Sequence, residues 1–127
     1  MAGFEMQGLD HVALAVRDQA ASERWYREVL GLQRLYEEEW GDMPMFLMAG
    51  GSGLALFPVR DGEDGSEPPA VRVLHVAFRV DRANFASAKA SLESRGILFR
   101  FADHGVAHSI YFQDPDGHSL ELTTYEL

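Results

Sequence analysis

Between positions 9 and 16 the chain alternates apolar with small or polar side chains. Val12, Leu14 and Val16 fall on one face of a strand, and His11, Ala13 and Ala15 fall on the other. The alternation returns between 73 and 80, where Val76, Phe78 and Val80 oppose His75, Ala77 and Arg79. Each strand runs into an aspartate, Asp18 or Asp81, suited to accept from the free amides of a first helical turn. The period then becomes helical: Ala21, Trp25 and Val29 make one apolar stripe, and Phe85, Ala88 and Leu92 make another. Gly31 and Gly96 stand where those helices should end, at the position that needs positive φ.

Short strand-like segments follow each helix, at 33–40, 44–48 and 54–57 and again at 97–101, 109–113 and 118–124. The chain is therefore written twice. His11 and His75 are 64 residues apart, Gly31 and Gly96 are 65 apart, and "GSGLALF" precedes "GHSLELT" by 66, a drift that small loop insertions produce. The expectation is an α+β fold: one domain built of two βαβββ modules, 9–57 and 71–125, with mostly antiparallel sheets covered by helices on one face. The segment 58–70, "PVRDGEDGSEPPA", has the composition of a connector.

The most constrained turn is "DPDG", Asp114 to Gly117. Proline fits the second position of a type I turn, and the glycine can enter the left-handed region that closes a three-residue hairpin loop. That geometry sets Gln113 against Ser119, Tyr111 against Glu121 and Ser109 against Thr123. One face is then polar throughout, while Ile110, Phe112, Leu120 and Leu122 form the other. His108 falls with Ile110 on the apolar face, and His118 sits beside the turn.

Composition narrows the chemistry. A chain of 127 residues with 46% hydrophobic and 24% charged residues can bury one ordinary core. No apolar run is long enough to span a bilayer, and "MAGFEMQGLD" lacks the features of an export signal, so a cytoplasmic location is expected. The net charge of −9 argues against nucleic-acid and anionic membrane partners. With no cysteine, any metal must be held by His, Asp, Glu or backbone oxygen. The sheet faces turned away from the helices carry His11, His75, Glu121 and Tyr111. Two imidazoles and one carboxylate make a facial triad that leaves coordination positions for substrate, water or dioxygen.

The stretches "LDHVALAVRD", "WYREVLGL", "LHVAFRV" and "YFQDPDGHSLEL" resemble the vicinal oxygen chelate superfamily of glyoxalases, extradiol dioxygenases, fosfomycin-modifying enzymes and bleomycin-binding proteins. The resemblance implies an open barrel-like cavity formed by the two modules, with a divalent metal held by His11, His75 and Glu121. Fe(II) or Mn(II) is favoured, with Zn, Ni or Co as alternatives, and a homodimer acting on a small molecule is implied. Glyoxalase I members carry a carboxylate on the last strand of module one, where this chain has Ala55, which argues against lactoylglutathione chemistry. "HGVAHSIYFQDPDGHSLE" is similar to the extradiol signature, with Tyr111 donating to substrate and His104 moving protons; Ala102 departs from it. Fosfomycin-type thiol transfer, for which Arg79 and Arg100 could supply positive charge, is the alternative. A non-catalytic bleomycin-type binding protein is the third reading. Trp40, Phe46, Phe57, Phe99 and Phe101 are candidates to line a pocket, although core packing explains most of them.

Overall fold

Alternation and capping translate directly into the first elements. In the computed structural model, which describes residues 2–60 and 70–127, β1 (His11–Val16) leads into α1 (Gln19–Leu30) through Asp18, whose side chain accepts from the Ala21 amide at 3.0 Å. Helix α1 ends at Gly31, φ 70°, whose amide reaches the Arg27 carbonyl at 3.1 Å. Strand β2 (Gln33–Leu35), helix α2 (Glu37–Trp40), strand β3 (Met45–Ala49) and strand β4 (Ser52–Pro58) complete a first unit. Its sheet runs β1-β4-β3-β2, with β1 and β4 parallel and the other pairs antiparallel.

The second unit repeats the plan. Strand β5 (Val76–Arg79) passes into α3 (Arg82–Ser94) through Asp81, which accepts from the Asn84 amide at 2.7 Å. Strands β6 (Arg100–Asp103), β7 (His108–Gln113) and β8 (Ser119–Thr124) follow, in the order β5-β8-β7-β6. The chain divides into two compact units after Arg60. The central part of the expected connector, 61–69, lies outside the described residues, whereas its first residue, Pro58, belongs to β4.

Each unit buries one face of its sheet against its helix. In the first, Leu47, Leu54 and Leu56 are fully buried with Val16, beneath Tyr26 and Ser22 of α1. In the second, Ile110 and Leu120 are fully buried beside Phe112 and Leu122, with Phe85 and Leu92 of α3. Each such leucine contributes about 1.5–3 kcal/mol through burial. The stripe of α1 is rotated from the expected one. Tyr26, wholly buried, occupies the centre, while Trp25 is half-buried and packs edge-on against the Tyr26 ring at 5.0 Å.

Three expected strands are clearly shorter than the pattern suggested; of 73–80, only Val76–Arg79 is strand, with His75 just before it. Segment 33–40 is strand only to Leu35: Tyr36 takes φ 62°, and Glu37, Glu38 and Glu39 then begin a helix, where carboxylates suit the positive end of the dipole. Segment 97–101 joins the sheet only at Arg100, because the Ile97 amide is still bonded to the Leu92 carbonyl at 2.9 Å, closing α3. The hairpin behaves as expected. The Gly117 amide donates to the Asp114 carbonyl at 3.0 Å, Gly117 has φ 88°, and Tyr111 stands opposite Glu121.

A row of paired residues crosses each sheet at the same level. In the second unit it reads Ala77, Glu121, Tyr111, Arg100 from β5 to β6. In the first, the equivalent row from β1 to β2 is Ala13, Ala55, Phe46, Leu35. One register thus carries two chemistries.

Gly53 shows how tightly the first sheet closes: a Cβ there would lie 2.0 Å from the Leu47 carbonyl oxygen and 2.8 Å from Met48 Cα. Gly53→Ala is expected to cost about 1–3 kcal/mol of unfolding free energy in urea titrations. Gly51→Ala, where nothing lies within 4 Å, should be close to neutral.

Candidate functional site

Strand β8 turns Leu120 and Leu122 to the helix and leaves Glu121 on the opposite face, only 7% exposed. A carboxylate so enclosed needs polar partners, since burial without them is costly. Glu121 has two sets. Its Oε2 accepts from the hydroxyl of Ser109 at 2.6 Å, and its Oε1 lies 3.0 Å from Nε2 of His75. Ser109 is itself fully buried, and its Oγ lies 3.0 Å from Thr123 Oγ1. The two carboxylate oxygens are therefore differentiated. One is tied into the sheet, and the other is presented to an imidazole.

The next position across the hairpin is Tyr111. Its ring packs edge-on to His75 at 5.7 Å, and its hydroxyl lies 2.9 Å from Nε2 of His104. His104 is placed by a tight loop: its amide donates to the Ala107 carbonyl at 2.9 Å. Burial pushes the Tyr111 phenol above its usual value and the Glu121 carboxylate adds to the rise, while Arg100 and Ser109 act in the other direction. The phenol therefore stays protonated at neutral pH and can donate a hydrogen bond. Arg100 lies over the Tyr111 ring, 4.6 Å from its centroid. A cavity of about 440 Å³ opens beside these groups, lined by Leu74, His75, Arg100, Tyr111, Gln113 and Ser119 among others.

The first unit has a related but altered arrangement. His11 is edge-on to Phe46 at 5.3 Å, as His75 is to Tyr111. Its Nδ1 lies 2.7 Å from Oδ2 of Asp10, a contact that, with Nδ1 as donor, leaves the Nε2 lone pair free for a ligand. Ala55 occupies the register position of Glu121, so no carboxylate faces this imidazole along the row. Instead Phe46 meets Trp40 at 5.2 Å and Tyr36 at 5.9 Å, and both of those rings are partly exposed.

The donor set suits a divalent metal. Ligands held about 2.1 Å from a metal at a right angle are about 3 Å apart, close to the 3.0 Å between His75 Nε2 and Glu121 Oε1. Both atoms lie on one wall of the second unit, whereas His11 belongs to the first. Among the described residues, no group of three or more His, Asp or Glu side chains is placed to hold a metal ion.

The remaining candidates separate cleanly. His108 is on the helix-covered face, 3.5 Å from Asp103 Oδ1 and edge-on to Phe101. The amide of His118 donates to Asp114 Oδ1 at 2.9 Å. Arg79 lies over the Tyr125 ring. Two contributors were not singled out from sequence: Asp10, whose only signal is its place before a histidine, and Ser109, which reaches Glu121 diagonally across the hairpin.

Comparison with known proteins places these observations in a family. The family model described as Glyoxalase/Bleomycin resistance protein/Dioxygenase superfamily matches residues 8–122. Glutathione transferase FosA of Serratia marcescens is 31% identical over 92% of this chain and 80% of its own length. Biphenyl-2,3-diol 1,2-dioxygenase 3 of Rhodococcus globerulus is 32% identical over 90% of this chain, which spans only 61% of that relative. The crystal structure of a glyoxalase/dioxygenase from Nostoc punctiforme superposes with a TM-score of 0.80 at 25% identity, covering 98% of this chain and 94% of the other.

Removing the Ser109 hydroxyl leaves Glu121 Oε2 enclosed without that donor. Ser109→Ala is expected to destabilise the metal-free protein by about 1–3 kcal/mol in denaturant titrations.

Proposed function

Since the chain belongs to the Glyoxalase/Bleomycin resistance protein/Dioxygenase superfamily, we propose that it is a divalent-metal-dependent enzyme. Its substrate is a small molecule that chelates through two neighbouring oxygens, and extradiol-type ring cleavage is its reaction. His75 Nε2 and Glu121 Oε1 hold the metal, with His11 as the third ligand, drawn from the same chain or from a second copy in a homodimer. Fe(II) or Mn(II) bound there would polarise the two substrate oxygens and support reaction with dioxygen.

The observation that carries this reading is the contact between Tyr111 and His104, 2.9 Å, beside the His75–Glu121 pair. In taking up a substrate proton, the Tyr111 phenol accepts from the substrate hydroxyl and passes its own proton to His104 Nε2; in returning it, both transfers reverse and Tyr111 donates to the substrate oxygen. Imidazole is the side chain most often used for such transfer. Ala55 supports the three-ligand arrangement, because a methyl group neither binds metal nor accepts a proton. A second reading is thiol transfer to a small phosphonate, supported by FosA, of which the chain covers four-fifths.

Anaerobic purification followed by metal analysis is the primary test. Iron or manganese should be present and should be lost in His11→Ala, His75→Ala and Glu121→Ala; a wild-type protein without metal affinity overturns the proposal. With metal bound, oxygen uptake on a catechol panel is expected, and Tyr111→Phe should slow it about 10²–10⁴-fold while keeping its metal. Glutathione consumption with fosfomycin, in the absence of oxygen uptake, would select the transferase instead. Tight binding of a cationic glycopeptide by metal-free protein would select sequestration.

A further inference from the structure

In each unit, the connection leading into the strand of the central ring carries a second ring edge-on to it. The two units hold that second ring by different means. In the first, Trp40 meets Phe46 at 5.2 Å and 85°, and α2 fixes its place. In the second, His104 meets Tyr111 at 6.2 Å and 87°, and it rides on the four-residue loop 104–107 between β6 and β7. An exposed histidine on so short a loop keeps its 2.9 Å contact with the Tyr111 hydroxyl only if the loop holds one conformation.

Two backbone bonds close the loop. The His104 amide donates to the Ala107 carbonyl at 2.9 Å, and the Val106 amide donates to the His104 carbonyl at 3.0 Å. Neither uses the amide of Gly105, which follows the histidine with φ 81°, a region that glycine enters and leaves freely. A side chain holds it instead: the Gly105 amide donates to Asp103 Oδ1 at 2.8 Å. Asp103 is anchored in turn from the neighbouring strand. It pairs in register with His108, whose Nε2 lies 3.5 Å from the same Oδ1 and whose ring packs edge-on against Phe101 at 5.2 Å. By alternation both side chains lie on the helix-covered face, opposite to Tyr111.

We propose that Asp103 is a positioning residue for proton transfer: by fixing the Gly105 amide it holds the His104 imidazole against the Tyr111 hydroxyl. This inference rests on the reading of Tyr111 and His104 as the proton-transfer pair, and it adds the residue that orients the pair from the opposite face. A proton passes between two such groups only near hydrogen-bond distance, so a loop free to swing lowers turnover more than substrate binding. The same arrangement gives His108, which the cavity does not use, a place in the site as the anchor of Asp103.

Asp103→Ala removes the acceptor, whereas Asp103→Asn keeps an oxygen for the Gly105 amide without the charge. In metal-loaded protein, Asp103→Ala should lower kcat for oxygen uptake on a catechol about tenfold or more, with KM and metal content unchanged. Asp103→Asn should restore most of that loss. Metal-free protein supplies a readout independent of turnover. Nuclear Overhauser contacts between the His104 and Tyr111 rings should be present in wild type and Asp103→Asn, and lost in Asp103→Ala. Contacts that persist in Asp103→Ala or are absent from wild type, an equal kcat loss in both variants, or a change in KM alone overturn the assignment. If wild type takes up no oxygen on any catechol, ring cleavage falls, and the ring contacts alone decide whether Asp103 positions His104.

Discussion

The second module is organised around a carboxylate that the sheet cannot afford to leave unpaired. Glu121 sits between two leucines on a strand whose surroundings exclude most water. Ser109 ties down one oxygen, and His75 meets the other. This arrangement requires the register in which Tyr111 faces Glu121 and Ser109 faces Thr123. A slip by one residue would carry Glu121 into the helix-covered core and turn Leu120 outward. The Asp114–Gly117 turn, with Gly117 in the left-handed region and Asp114 accepting from two amides, holds that register.

The two modules share a frame and differ in what the frame displays. The order of strands, the parallel pairing of the first and last strands, and the edge-on packing of a histidine on the neighbouring ring occur in both. Where the second unit has carboxylate, phenol and guanidinium, the first has Ala55, Phe46 and Leu35, so the same row is polar in one unit and apolar in the other. Tyr36 and Trp40 extend the apolar row with partly exposed rings.

Periodicity made the strands, caps and repeat legible, because side-chain alternation and local amide satisfaction act over a few residues. Asp18, Asp81, Gly31 and Gly117 do what their local chemistry predicts. The failures occur where one local preference overtook another. Tyr36 turned the chain out of a strand, and the three glutamates after it began a helix. The capped end of α3 delayed β6 until Arg100. Trp25 yielded the core to Tyr26 because a single step along a helix rotates the stripe by about 100°.

By itself, then, the sequence determined the repeat, the hairpin register and the face on which His11, His75, Tyr111 and Glu121 would lie. Those follow from parity and turn chemistry, which are local. Only the tertiary structure decided that Ser109 would clamp Glu121, that Asp10 would engage His11, and that Arg100 would rest on Tyr111 without a carboxylate at ion-pair distance among the described residues. These contacts depend on distances of a few ångströms between side chains on different strands or turning away from them. Alternation fixes which face a group occupies; it does not fix what the group touches there.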